Sequence, residues 1–253
     1  MADAQVPLFD RVKKVALKLQ FVWFLGHLIT VIQTFFAFLS FSNWTYYKAF
    51  YGTLVSYGIF LYGTYGKPQF NKEFLARVLQ DENCQYFILA VIWVTAAPIR
   101  VALIPYATFS LIHVLGYIRS DFLPQVFPGN TLPVTKNIAA AINTVLVTYQ
   151  AQAIWLVARA EVLVIFPATI ITIFWGTSIF TPFLYGQFLQ FRFLSSPITR
   201  QVFGDLEVVL DKHVANNPQV PEWGKVGYAK TKDMIKQYCN LEARARAAQA
   251  AQQ

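Results

Sequence analysis

The sequence predicts an all-α, multi-pass membrane protein with two N-terminal spans, two proline-interrupted helical hairpins and cytoplasmic amphipathic helices. Three observations carry this. Of 253 residues, 56% are hydrophobic and only 13% charged, where ordinary globular domains carry roughly 25% charged residues. The charges gather at the two ends and in short stretches between apolar blocks. Several of those blocks reach the length of about 20 residues that a spanning helix needs. So few charges could not cover a water-soluble globule. The same composition excludes a disordered chain, a coiled coil and a collagen-like chain.

Residues 1–18 form a basic N-terminal segment. Leu8, Phe9, Val12, Val15 and Leu19 share one helical face, and Arg11, Lys13, Lys14 and Lys18 fall largely on the other, the pattern of an interfacial amphipathic helix. A transmembrane domain is expected over 19–198. Its first span, 19–41, lies in a run from Leu19 to Tyr47 that holds no charge. That run is longer than a signal peptide's apolar core of roughly 7–15 residues, and no A-x-A site closes it, so it reads as an uncleaved anchor. The second span, 49–66, is bounded by Lys48 and Lys67; its Gly52, Gly58, Gly63 and Gly66, with Ser56, suit close helix–helix contact in lipid or are simply tolerated there. Asn43-Trp44-Thr45 is a formal glycosylation sequon, disfavoured by its closeness to both spans.

A polar connector over 67–85 carries Glu73, Arg77, Asp81 and Glu82. The block 86–118 would be about 50 Å long as one straight helix, against a hydrocarbon core of about 30 Å. Pro98, Arg100 and Pro105 interrupt it. Proline breaks helices, and a charge at the bilayer centre costs at least about 2.5–3.5 kcal/mol, so a hairpin of helices 86–97 and 101–118 is expected. Asp121–Pro133, with four prolines and glycines, reads as a loop, and Thr135 as a cap for the next helix. Segment 137–158 is uncharged but holds Asn137, Asn143, Gln150 and Gln152, and is either a weak span or a surface helix. Beyond Arg159 and Glu161, residues 162–191 are divided by Pro167, Gly176 and Pro182, the expected turns of a second hairpin.

Residues 199–253 form the cytoplasmic C-terminal region. Val202, Phe203, Leu206, Val209 and Leu210 mark one amphipathic helix over 200–214. Trp223, Val226, Met234 and Tyr238 mark a second over 222–242, accompanied by Lys225, Lys230, Lys232 and Lys236. Together these eight residues make the expected membrane-binding tail. Net charge is +8, and 10 of the 21 Lys and Arg lie from Arg159 onward. A basic tail beside spans suits anionic cytoplasmic lipid rather than nucleic acid. The Lys/Arg asymmetry puts both termini in the cytoplasm and so calls for an even number of crossings; two spans with two hairpins, or four long spans, both satisfy it.

No catalytic, metal-ligating or phosphate-binding motif occurs: there is no G-x-S-x-G, Walker loop, H-E-x-x-H or paired Cys/His spacing. No cofactor or metal is expected, and the chain reads as a non-enzyme. His27 and His113 read as hydrogen-bonded packing residues, and Arg159 with Glu161 as a boundary pair. Cys84 and Cys239 read as free thiols. The interrupted blocks also fit a small transporter or lipid-handling protein, and the amphipathic helices fit a docking subunit.

Four blocks, FLARVLQDENCQYF (74–87), PYATFSLIHVLGY (105–117), ARAEVLVIFPATI (158–170) and TPFLYGQFLQFRFLSSP (181–197), occur in the order seen in the transmembrane-protein-thirty-three family, which this chain resembles over about residues 10–215. The resemblance implies a multi-pass protein of the endoplasmic reticulum and nuclear envelope. It also implies reticulon-type shaping proteins and nuclear pore components as partners, and a part in pore assembly or distribution. Relatives are more polar over 137–158, which favours a surface helix there. The region beyond about 217 is similar to the fungal C-terminal extension, whose amphipathic helices bind membrane and a nuclear import receptor. Partly crossing hairpins and inserted helices would both crowd one leaflet and favour curvature.

Overall fold

The computed structural model describes residues 6–69, 71–128, 133–175 and 178–250, and all regular structure among them is helical. The chain is a membrane protein: three of its helical runs, Leu19–Ser40, Arg100–Val126 and Val134–Phe174, are long and apolar enough to cross a bilayer. It divides into two compact units, Met1–Tyr185 and Gly186–Gln253.

In the first unit, α1 (Leu8–Ala16) leads through Leu17 and Lys18 into α2 (Leu19–Ser40). Phe41, in the left-handed region at φ 53°, ends α2, and Ser42 caps α3 (Asn43–Tyr65) by accepting from the Trp44 amide at 3.2 Å. A turn this short makes α2 and α3 antiparallel neighbours. Their crossing is close because it is built from small residues. A Cβ added at Gly26 would lie 2.7 Å from the Gly52 carbonyl oxygen, and one added at Gly52 would lie 2.6 Å from that of Gly26. Hydroxyls bridge the same seam: Ser56 donates to the Trp23 carbonyl at 2.8 Å, and Thr30 to the carbonyls of Gly26 and Ala49 at 3.0 and 3.1 Å. In lipid, such contacts and hydrogen bonds replace the missing hydrophobic drive between helices. Of the glycines singled out in the second span, Gly52 alone makes that backbone approach. A Cβ added at Gly58 would meet the Phe87 ring at an ordinary 3.7 Å, Gly63 and Gly66 face open space, and Gly66 instead ends α3 at φ 72°.

Short α4 (Lys72–Leu79) and α5 (Glu82–Thr95) follow, capped by Asn71 and Asp81, which accept from the amides of Phe74 and Asn83 at 2.7 Å each. Residues 96–99 then break the chain, and a 3₁₀ turn (Arg100–Ala102) starts α6 (Leu103–Tyr117). Pro98 lies in this interruption and Arg100 opens the 3₁₀ turn. The Arg100 guanidinium donates to the Phe41 carbonyl and the Asn43 side chain, docking this turn on the α2–α3 turn. Pro105 is not at the turn. It lies in the first turn of α6, just after the 3₁₀ turn, where the helix begins rather than where the chain reverses.

Two stretches differ more. The expected loop from Asp121 begins later, because a π-helical turn (Ile118–Phe122) and α7 (Leu123–Val126) continue α6 through Pro124. Similarly α8 (Pro133–Ala160), a π-helical turn (Glu161–Ile165), α9 (Phe166–Ile171) and a 3₁₀ turn (Thr172–Trp175) run on without a break at 158–162 or at Pro167. Thr135 therefore lies inside a helix rather than capping one. A third π-helical turn (Asp211–Ala215) precedes Pro218. Each π-helical turn is followed within three residues by a proline. Shifting to i→i+5 bonding loosens the backbone just where the proline removes a donor and crowds the preceding turn. The charges read as a boundary are absorbed within the unit: Arg159 stacks on the Trp155 ring at 3.4 Å, and Glu161 is buried. Pro182 lies in the first turn of α10 (Phe180–Ser195), while Gly176 falls outside the described residues.

Gly52→Ala, which puts a methyl group against backbone, is expected to destabilise the protein by about 1–3 kcal/mol, while Gly63→Ala leaves it unchanged within error. Steric-trap unfolding in lipid discs measures both.

Candidate functional site

The second unit carries the expected tail. Ser196 caps α11 (Pro197–Leu210) by accepting from the Thr199 amide at 3.3 Å, and Pro197 occupies its first turn. The π-helical turn and Asn216–Pro221 then reverse the chain into α12 (Glu222–Ala250).

The two helices are joined by charge. Lys232 donates to Asp211 at 2.8 Å and pairs with Glu207 at 2.8 Å; Lys236 donates to Glu207 and Tyr228 to Asp211, each at 2.7 Å. Glu207 and Asp211 are four residues apart, as are Tyr228, Lys232 and Lys236, so each set forms a stripe on one helical face. Hydrogen bonds from Lys232 first, then from Lys236 or Tyr228, hold the Glu207 and Asp211 carboxyls below the usual carboxylate range. The same bonds, Asp211's first, push the Lys232 ammonium up.

This pairing sorts the tail residues named from sequence. On α12 the gripping stripe is opposite to the face that carries Trp223, Val226 and Met234. Those three are 80%, 44% and 69% exposed. Lys230 is exposed among them, and Lys225 pairs loosely with Glu222 at 3.9 Å. Lys232 and Lys236 are engaged with carboxylates rather than standing free. The side chain of Tyr238 lies outside the described residues. On α11, Val202 is buried, Phe203 packs edge-on to Phe193 at 5.5 Å, Leu206 and Leu210 are half-buried, and Val209 is exposed. Sequence reasoning missed Glu207, Asp211 and Tyr228; the signal was the matching four-residue spacing of opposite charges on two adjacent helices.

The first unit holds two polar clusters, each inside apolar helices. Tyr86 on α5 donates to the Glu161 carboxylate, Tyr106 on α6 donates to the Tyr86 carbonyl at 3.0 Å, and Tyr185 on α10 donates to the Glu161 carbonyl at 3.4 Å. Glu161 therefore ties α5 and α10 to its own helix, and α6 joins them through the Tyr86 carbonyl. Between α2 and α6, His27 shares a 2.9 Å hydrogen bond with Ser110, as expected of a packing histidine, and its ring lies 4.8 Å from that of His113. Among the described residues no group of three or more His, Cys, Asp or Glu is placed to hold a metal ion. Cys84 is buried as a free thiol.

The family model described as Transmembrane protein 33/Nucleoporin POM33 matches residues 10–240, and so runs through every helix from α2 to α11 and well into α12. The chain belongs to this family. It is 32% identical over 230 residues to Tetra-spanning protein 1 of Schizosaccharomyces pombe, covering 85% of this chain and 82% of that one. It is 27% identical over 246 residues to Nucleoporin POM33 of Chaetomium thermophilum, covering 87% and 86%. To human Transmembrane protein 33 it is 28% identical over 156 residues, 60% of each chain. No solved structure matches it. The family resemblance seen in the four sequence blocks is thereby established, and the matched region extends beyond 215.

Because folding lowers both carboxyl pKa values, their contribution is present above the unfolded value near 4 and is lost as pH falls through the folded one; the raised Lys232 contributes fully below its unfolded value of about 10.4, and its contribution is lost only as pH rises beyond that. The α11–α12 pair is thus expected to hold from about pH 5 to 10 and to loosen below about pH 4. Spin labels on the two helices should show a broadened distance in acid, and Glu207→Gln with Asp211→Asn should broaden it at pH 7. Separately, Tyr86→Phe, which removes a donor from a buried carboxylate, should cost about 1–3 kcal/mol in the same unfolding measurement.

Proposed function

We propose that this family member is a non-enzymatic membrane protein that shapes or senses curved endoplasmic reticulum and nuclear envelope membrane and supports nuclear pore complex assembly or distribution. One observation carries the reading: the apolar face of α12, with Trp223, Val226 and Met234, is left uncovered because the opposite stripe is committed to α11. A helix with one apolar and one charged stripe lies in the bilayer interface with its apolar side about 5–10 Å deep. Trp223 would rest at headgroup level, where such rings are enriched. Lys230 lies among these residues and would attract anionic lipid at about 1 kcal/mol, screened by salt. The α1 helix offers a second such surface through exposed Leu8 and Phe9 with Lys13 and Lys14.

Partial crossing supports the same reading. Helix α5 has 14 residues and is about 21 Å long, shorter than a ~30 Å hydrocarbon core. A helix of that length, reaching part-way, would take up more room in one leaflet than in the other. The pore connection is supported by relatives named Nucleoporin POM33 and Pore membrane protein of 33 kDa. In this reading both termini are cytoplasmic and the partners are pore components, reticulon-type shaping proteins and, through the tail, an import receptor.

The test is reconstitution of the full chain into large vesicles at rising protein-to-lipid ratio, imaged by electron microscopy. Vesicle diameter should fall or tubules form, and Trp223→Glu with Met234→Glu should require at least about a two-fold higher ratio. Salt at about 0.5 M, where screening is strong, should weaken but not abolish the effect. Unchanged large vesicles at every ratio would remove the shaping role.

A further inference from the structure

Helix α2 carries an amide deep inside its span. With 22 residues it is about 33 Å long, close to the ~30 Å of a hydrocarbon core. Gln33 is followed by seven residues up to Ser40, so about 10 Å of helix separates it from the nearer end. That is farther than its short side chain can reach towards the headgroups.

Around the helix, Gln33 is half-buried at the edge of the face that packs on α3. Gly26 and Ala37, to one side of it, belong to the seam. Ile29 and Phe36, one turn before and after it on the other side, are 45% and 47% exposed. Other amides of the first unit are paired: Asn43 accepts from Arg100 at 3.1 Å, Gln85 donates to the Leu79 carbonyl at 3.0 Å, and Asn143 accepts from Arg119. Gln33 has no hydrogen-bond partner among the described residues. Gln150 and Gln152 on α8 are exposed too, but the run Val134–Phe174 that holds them has 41 residues. At about 60 Å it extends well beyond the core, so those two are not held in hydrocarbon.

An amide without a partner in hydrocarbon is costly, and helices in lipid satisfy such groups across their interfaces. The chemistry of the group selects its partner. A carboxamide has both an acceptor oxygen and N–H donors, so two of them pair reciprocally, each giving one bond and taking one. Copies of one chain inserted in the same orientation carry Gln33 at the same depth. A two-fold axis along the membrane normal then brings identical faces together. We propose that α2 forms the interface of a homodimer, with the two Gln33 carboxamides hydrogen-bonded to each other and Ile29 and Phe36 packed around them. The proposal is independent of membrane shaping.

The full chain, with one fluorophore per copy at its C-terminus, is reconstituted into large phosphatidylcholine vesicles over a dilution series, and single-molecule photobleaching counts the copies in each spot. Two-step traces should dominate at high density and give way to one-step traces on dilution. Gln33→Leu replaces the amide by an apolar group of similar size. It should need about ten-fold more protein per lipid for half-dimerisation, equivalent to ~1.4 kcal/mol, with an unchanged Tm. Ile29→Ala, at an exposed position outside the α2–α3 seam, should shift the midpoint in the same direction. Gln20→Leu, an amide change in the first turn of α2, should leave it in place. A dimer whose midpoint moves by less than about two-fold in Gln33→Leu would overturn the proposal. So would one-step traces at every density, which would assign Gln33 to a helix of a different membrane protein.

Discussion

Inside hydrocarbon a backbone amide has no water to turn to, so every N–H and C=O must find its partner within the chain. The first unit is organised around that constraint. It explains why the described regular structure is helical throughout, and why hydroxyls at the α2–α3 seam are spent on carbonyls of the facing helix. It also explains the small residues there: Gly26 and Gly52 let two backbones approach closely enough for Thr30 and Ser56 to bridge them. Once α2 and α3 are fixed, the turn between them supplies acceptors for Arg100, and that contact orients the α5–α6 break.

Polar side chains within the apolar helices follow the same rule. Glu161 would be very costly alone at this depth. Bonded to Tyr86, and with Tyr185 on its carbonyl, it instead fixes α5, α10 and the long helix relative to each other. His27, Ser110 and His113 do similar work where α2 meets α6, and the rings gathered there leave a cavity rather than a filled core.

Outside the spans the constraint changes, because water can satisfy the backbone and packing must be earned by side chains. The α11–α12 pair is held by a stripe of alternating charge rather than by apolar contact. That choice leaves the apolar stripe of α12 uncovered. Charge pairing between α11 and α12 and exposure of Trp223 and Met234 are thus two sides of one helix geometry.

The amino-acid sequence by itself determined the helical class, the apolar run of α2 and the interruption of the chain's third apolar block near Pro98, because these follow from local period and from composition. It also carried the family blocks. Tertiary structure decided what prolines and charges do in context. Pro105 and Pro182 became first-turn residues and Pro124 and Pro167 were carried through by π-helical turns, since a proline's cost depends on which backbone bond it removes. Arg159 and Glu161, which look like an interface in one dimension, are engaged in three by the Trp155 ring and the Tyr86 hydroxyl. Lys232 and Lys236, alike in sequence to Lys230, differ from it only because carboxylates on another helix lie within 3 Å. Spacing along one helix reveals a face, but only the neighbour that covers that face, or fails to, assigns its role.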